Sequence, residues 1–157
     1  MRPLLVEHPD RWVNLPAPHA VLLILELQRR GHVVVRAHMD PCGPRDYTIV
    51  LRDKATSQLT ALVWDEESGL RHGRFVSGRQ GERTRLENAV HLGGGLLPPA
   101  CDVVDRMENG VSEPYRRYRA HTDLLDGFDD RLRALPWVAV PAHPLPATPP
   151  SRLAQVA

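Results

Sequence analysis

Successive alternating segments follow one another in this chain with too little sequence between them to cross over a sheet. Val33, Val35, Ala37 and Met39 alternate with His32, Val34, Arg36 and His38, and Tyr47, Ile49 and Leu51 alternate with Thr48, Val50 and Arg52. A third segment runs from Gln58 to Trp64 and a fourth from Leu70 to Ser77. The links Asp40-Pro41-Cys42-Gly43-Pro44, Asp53-Lys54-Ala55-Thr56-Ser57 and Asp65-Glu66-Glu67-Ser68-Gly69 are turn-forming in composition. Parallel neighbours need crossovers of about a dozen residues or more, so these strands are expected to form an antiparallel meander. Leu86 to Leu92 reads as a fifth strand or as a helical turn, because so short a stretch does not separate the two periods.

Helices flank the strands. Pro18 suits a first helical turn and Gly31 a left-handed stop, which predicts a helix from Pro18 to Arg30. Ala20, Val21, Leu22, Leu23, Ile24, Leu25 and Leu27 make it apolar around much of its circumference, so it should be covered on two sides. Pro98 and Pro99 open a second helix to about Asn109, with Val103, Val104 and Met107 on its apolar side. Beyond it, Ser112 suits an N-cap, Tyr118, Leu125 and Leu132 recur every seven residues, and His121, Phe128 and Leu135 accompany them.

The expected fold class is therefore α+β: a four- to five-stranded antiparallel meander with helices packed on one face, plus a C-terminal helical extension. The organisation is a domain over 1–110 with an N-terminal arm over 1–16 anchored by Trp12, a helical extension over 111–136 and a Pro-rich flexible tail over 137–157. The other sheet face, with His32, Arg36, His38 and Arg52, is expected to be wet or to meet a partner.

Composition excludes several function classes. Twenty basic against 19 acidic side chains leave a net charge of +1, unlike a polybasic membrane or nucleic-acid coat. No apolar run approaches the roughly 18 residues that span a bilayer. Pro3 and Glu7 interrupt the start where a signal peptide would stay apolar, so a cytoplasmic location is expected. Cys42 and Cys101 are too few for a four-thiolate zinc site or a disulfide framework and are read as reduced thiols.

Few residues suggest chemistry. His38-Met39-Asp40-Pro41-Cys42 offers imidazole, carboxylate and thiolate without the ligand spacing of a zinc site. Cys101 falls in a first helical turn, where the dipole favours a thiolate, and His91 would serve as its base if Gly93–Gly95 folded back. The plainer reading of Cys101 is a small buried residue beside Val103 and Val104. His91-Leu92-Gly93-Gly94-Gly95 has neither a Gly-x-Ser-x-Gly elbow to serve nor the Lys-Ser/Thr of a phosphate loop. Asp65-Glu66-Glu67 is read as a wet hairpin tip. No catalytic residue, metal or cofactor is assigned. Arg71, Arg74, Arg79, Arg83 and Arg85 outnumber Glu82 and Glu87 locally, but residues 1–110 hold 14 basic and 14 acidic side chains. Counterion release needs a concentrated patch.

Three blocks occur together: Asp40-Pro41 through Pro44-Arg45-Asp46-Tyr47-Thr48-Ile49-Val50-Leu51, then Val63-Trp64-Asp65-Glu66-Glu67-Ser68-Gly69-Leu70, then Leu92-Gly93-Gly94-Gly95-Leu96-Leu97-Pro98-Pro99. After a helix ending in Gly31-His32, this order resembles a family of small uncharacterised actinobacterial proteins, a domain of unknown function, over about residues 18–108. The resemblance implies a cytoplasmic protein of a high-GC bacterium, in keeping with 15 prolines and a single lysine, Lys54, and it implies no activity.

The expected function is a non-enzymatic interaction or regulatory module acting through protein contacts, with a partner or a second copy of itself. Leu22, Leu23, Tyr115, Tyr118, Leu125, Phe128 and Leu132 are the candidate interface. One alternative is a nucleic-acid accessory protein using the Arg71–Arg85 strip. The other is a thiol- or metal-dependent enzyme around Cys101 and His91, or around His38 and Cys42.

Overall fold

Short links leave an emerging strand little choice but to turn back beside the one before it, and the strands of this chain lie in the sheet in their order along the sequence. They are β1 (Leu5–Val6), β2 (Val33–Asp40), β3 (Asp46–Arg52), β4 (Leu59–Asp65), β5 (Gly69–Ser77) and β6 (Arg85–His91), with helices α1 (Ala17–Arg29), α2 (Ala100–Glu108) and α3 (Phe128–Arg133). The computed structural model describes residues 4–41 and 43–138; the first three residues, Cys42 and the tail over 139–157 lie outside the described residues.

From β2 to β6 every neighbour is antiparallel, and Leu86 to Leu92 resolves largely into β6. The expected count falls short by the arm. Leu5 and Val6 pair in parallel with Ala37 and His38, so the sheet is six-stranded and mixed. Two residues are too few for alternation to register.

The first sheet face carries Ala37, Met39, Tyr47, Ile49, Leu51, Leu62, Trp64 and Leu70 into one core with α1 and α2. Val34 joins them because the β2–β3 register slips between Val34 and Arg36, and the extra residue reverses the alternation read from the sequence. Helix α1 is covered on two sides, by β2 and β3 beneath and by α2 beside it. Leu23 is fully buried and Leu22 half-buried within the protomer, so most of the apolar girth of α1 is covered by its own chain.

Two buried polar side chains tie the layers together. Trp64 donates its indole N–H to the Leu96 carbonyl at 2.6 Å, fixing the glycine-rich turn over the sheet. His19, on α1, lies between the Tyr47 hydroxyl at 2.7 Å and the Pro98 carbonyl at 2.9 Å. A carbonyl only accepts, so Nε2 carries the proton and Nδ1 accepts from Tyr47. Burial keeps this imidazole below its ordinary pKa and therefore neutral.

The second face is covered over its centre, while Arg36 and Arg52 on it are exposed as expected. His38, Thr48, Val50, Ala61 and Val63 are all buried there. The β5–β6 tip folds back across them: the Thr84 and Thr48 hydroxyls meet at 2.7 Å, and Gln80 donates to the Met39 carbonyl at 2.8 Å. Arg36 of β2 reaches over the ring of Phe75 in β5 at 5.2 Å, a contact between non-neighbouring strands that requires the sheet to curl. Under this cover, the His38 Nε2 has no hydrogen-bond partner among the described residues.

Asp46 shares this covered face. Burial, with Asp40 and Asp65 near it, pushes its carboxyl up to about 8 against the pull of Arg71 and Arg83. The fold therefore binds a proton that the unfolded chain releases, and Asp46 makes stability fall as pH climbs from 3.8 towards about 8. Asp46→Asn is expected to raise the thermal midpoint more at about pH 8 than at about pH 5, measured by circular dichroism melts. An equal shift at both pH values would show that Asp46 is not protonated in the fold.

Candidate functional site

A carboxylate in a hairpin turn ordinarily points to water, where hydration costs the fold nothing. In the turn between β4 and β5 the arrangement is inverted. Asp65 closes the turn by accepting the amides of Glu67 and Ser68 at 2.9 and 2.7 Å. Gly69 completes it with φ +79°, and a Cβ there would lie 2.6 Å from the Gly95 carbonyl oxygen.

This geometry turns Glu66 inward until it is 0% exposed. Its Oε2 accepts the Arg45 amide at 2.6 Å and Arg45 Nε at 2.8 Å; its Oε1 accepts Arg45 Nη2 at 2.9 Å and Arg119 Nη1 at 2.6 Å. Arg45 also donates to Asp129 at 2.5 Å and lies over the Trp12 ring at 4.1 Å. Arg119 donates to Asp126 at 2.6 Å and covers the Phe128 ring at 4.4 Å. The acidic turn is thus a buried hub, which corrects the expectation of a wet tip.

The neighbouring acid grips the chain after α2. Glu67 accepts the His121 amide and imidazole at 2.9 and 3.0 Å and Arg117 at 2.8 Å, while its own carbonyl takes the Tyr118 amide at 2.7 Å. Burial would raise this carboxyl, and the His121 and Arg117 donors overcome it and hold it at about 2.

Residues 111–127 consequently form an irregular strap and not the expected helix; only Phe128–Arg133 is helical in that region. Arg117, Arg119 and His121 all reach the hairpin because alternate residues of an extended chain share a side, whereas a helix would spread them around its axis. That Arg-x-Arg-x-His spacing facing an acidic turn was the available signal, and the seven-residue repeat obscured it.

Arg119 is the charge that the strap turns inward, with Arg117 pairing to Glu67 at the surface, while several of its apolar side chains face out. Tyr115 is 62% exposed, Leu124 63% and Leu125 97%. Of the other interface candidates, Leu23, Phe128 and Leu132 are core residues: Phe128 stacks on Trp64 at 6.3 Å, continuing a column from Tyr47. Leu22 and Tyr118 are half-buried.

The remaining candidates are scattered. Cys101 is exposed, not the small buried residue of the plainer reading, with the Asp102 carboxylate 3.8 Å from its sulfur. His91 instead packs edge-on against Tyr115 at 5.3 Å. His38 is buried on the second face, and Cys42 lies outside the described residues. No group of three His, Cys, Asp or Glu is placed to hold a metal among the described residues. In the arginine strip, Arg71 meets Asp65 at 3.3 Å, Arg74 meets Glu87 at 2.9 Å and Arg79 meets Glu82 at 3.0 Å; Arg83 and Arg85 are exposed. Among the described residues no helix is long and apolar enough to cross a membrane. Comparisons with protein-family models, curated proteins and solved structures find no match.

Glu66→Gln keeps the shape of the hub but leaves two buried guanidiniums short of a counter-charge, and it is expected to cost about 3–5 kcal/mol in denaturant unfolding. The strap should also become cleavable by protease within 111–127. Glu82→Gln, at an exposed pair with Arg79, should leave the unfolding midpoint unchanged. Equal effects from the two substitutions would show that burial of Glu66 carries no special weight.

Proposed function

We propose that this chain is a non-enzymatic interaction module that works through protein contacts, and that the strap is its docking element. The observation that carries the reading is the exposure of Tyr115, Leu124 and Leu125 on a loop that Arg119 and His121 tie to the hairpin. Folding alone would turn Leu124 and Leu125 inward and leave Arg119 to water, since apolar burial stabilises and exposed charges are well hydrated. Here the ion pairs hold a fixed loop whose outermost side chain, Leu125, is almost wholly exposed. A side chain that protrudes so far is enclosed only by a surface with a recess to receive it, which suits a protein partner with an apolar pocket. Tyr115 adds an amphipathic ring of the kind enriched in such interfaces. A cytoplasmic setting belongs to the same proposal, because the exposed thiol of Cys101 persists in a reducing compartment.

The test is a double substitution, Leu124→Ser with Leu125→Ser. These side chains add little to the protomer's own core, so the melting temperature should not change. Wild type should form a complex that the double variant does not. That complex is either a dimer in light scattering or a stoichiometric assembly with a protein partner from the native cell. A melting temperature lowered by several degrees would make the two leucines structural and overturn the reading. So would wild type and variant behaving identically in both association measurements.

A further inference from the structure

A second feature of the molecule lies away from the strap, where the C-terminal ends of α1 and α2 meet the β3–β4 link. A cleft of about 460 Å³ opens there, within the range that holds small ligands. Its apolar lining includes Leu51 and Met107, and its polar lining includes His32, Arg52, Lys54 and His72.

The acids of the cleft are already engaged. Glu108 accepts from Arg30 and His32 at 2.9 Å each, and Asp53 turns an oxygen to the amides of Ala55 and Thr56 at 2.8 and 3.2 Å. Arg29 and Arg30 offset the carbonyl end of α1, and Arg106 offsets that of α2. Arg52 and the chain's only lysine, Lys54, have no ion-pair partner among the described residues. His72 is half-buried and makes no hydrogen bond among the described residues. Burial and the nearby His32 keep it below its ordinary pKa, so it faces the cleft as a neutral ring with one donor and one acceptor.

We propose that this cleft binds a small organic anion, a carboxylate or a phosphate monoester. Its compact apolar part rests on Leu51 and Met107, Arg52 and Lys54 hold the charged group, and His72 supplies a neutral hydrogen-bonding nitrogen. The pairing follows from the lining: Arg52 and Lys54, without an ion-pair partner among the described residues, outnumber the one carboxylate beside them, Asp53, and an apolar floor selects against a bare inorganic ion.

The experiment follows the histidine ring resonances by NMR, with His72 identified through His72→Gln, while phenyl phosphate, benzoate, inorganic phosphate and benzylamine are titrated in separately. Phenyl phosphate or benzoate should move the His72 signals saturably, and whichever binds tighter identifies the anionic group. Combining Arg52→Ala with Lys54→Ala, both at exposed positions, should leave folding intact and weaken that binding by about tenfold or more. The proposal is overturned if neither organic anion moves His72, if the double variant binds equally well, if inorganic phosphate binds as tightly as phenyl phosphate, or if benzylamine is the ligand that binds. None of these results bears on the leucines of the strap.

Discussion

A buried carboxylate is among the most demanding groups a fold can contain, and Glu66 sets the terms for much of this one. Withdrawing it from water costs several kcal/mol unless donors replace the lost hydration. Its two oxygens are met by four N–H groups, three from Arg45 and one from Arg119. Each guanidinium then needs further acceptors, and finds them in Asp129 for Arg45 and in Asp126 for Arg119. The requirement propagates outward from one turn. Arm, sheet and strap are placed where they are because the charges in the middle would otherwise be unmatched.

The stacked aromatic column beside this hub shows how polar and apolar demands coincide. Tyr47, Trp64 and Phe128 lie nearly parallel, and Arg119 covers the outer face of Phe128. A guanidinium is weakly hydrated and planar, so it serves both as the partner of two carboxylates and as the lid of a ring. Lysine, a compact point charge, would not offer a planar fork to both acids while lying flat on the ring.

Much of the architecture was legible in the sequence, and the limits have definite causes. Short links and alternation identified β2 to β5 and their antiparallel order, and proline and glycine placed α1 and α2 to within a residue or two. Alternation failed at Val35, where an extra residue reversed the faces, since a bulge leaves no mark in the pattern. The cover over the second face also escaped notice, because it comes from curl of the sheet and not from any local preference. The strap departs from the expected helix for a different reason. Leucines and aromatics seven apart suggested a helix, while the groups that decide its shape, Glu66 and Glu67, lie some fifty residues earlier. Long-range ion pairing between a turn and a distant segment is invisible to any window that slides along the chain. Of the candidate surface, Tyr115 and Leu125 were named from the sequence, and Leu124 came from the structure alone.

The arm and α3 come from opposite ends of the described chain, yet Arg45 holds the Trp12 carbonyl and Asp129 together while clasping Glu66. Two remote stretches are thereby buttoned to a single point. Neither can lift away by gradual fraying, because releasing one strips the shared clasp of its counter-charges and loosens the other. Detachment becomes a collective event, and amides on both stretches would exchange with solvent through one common opening.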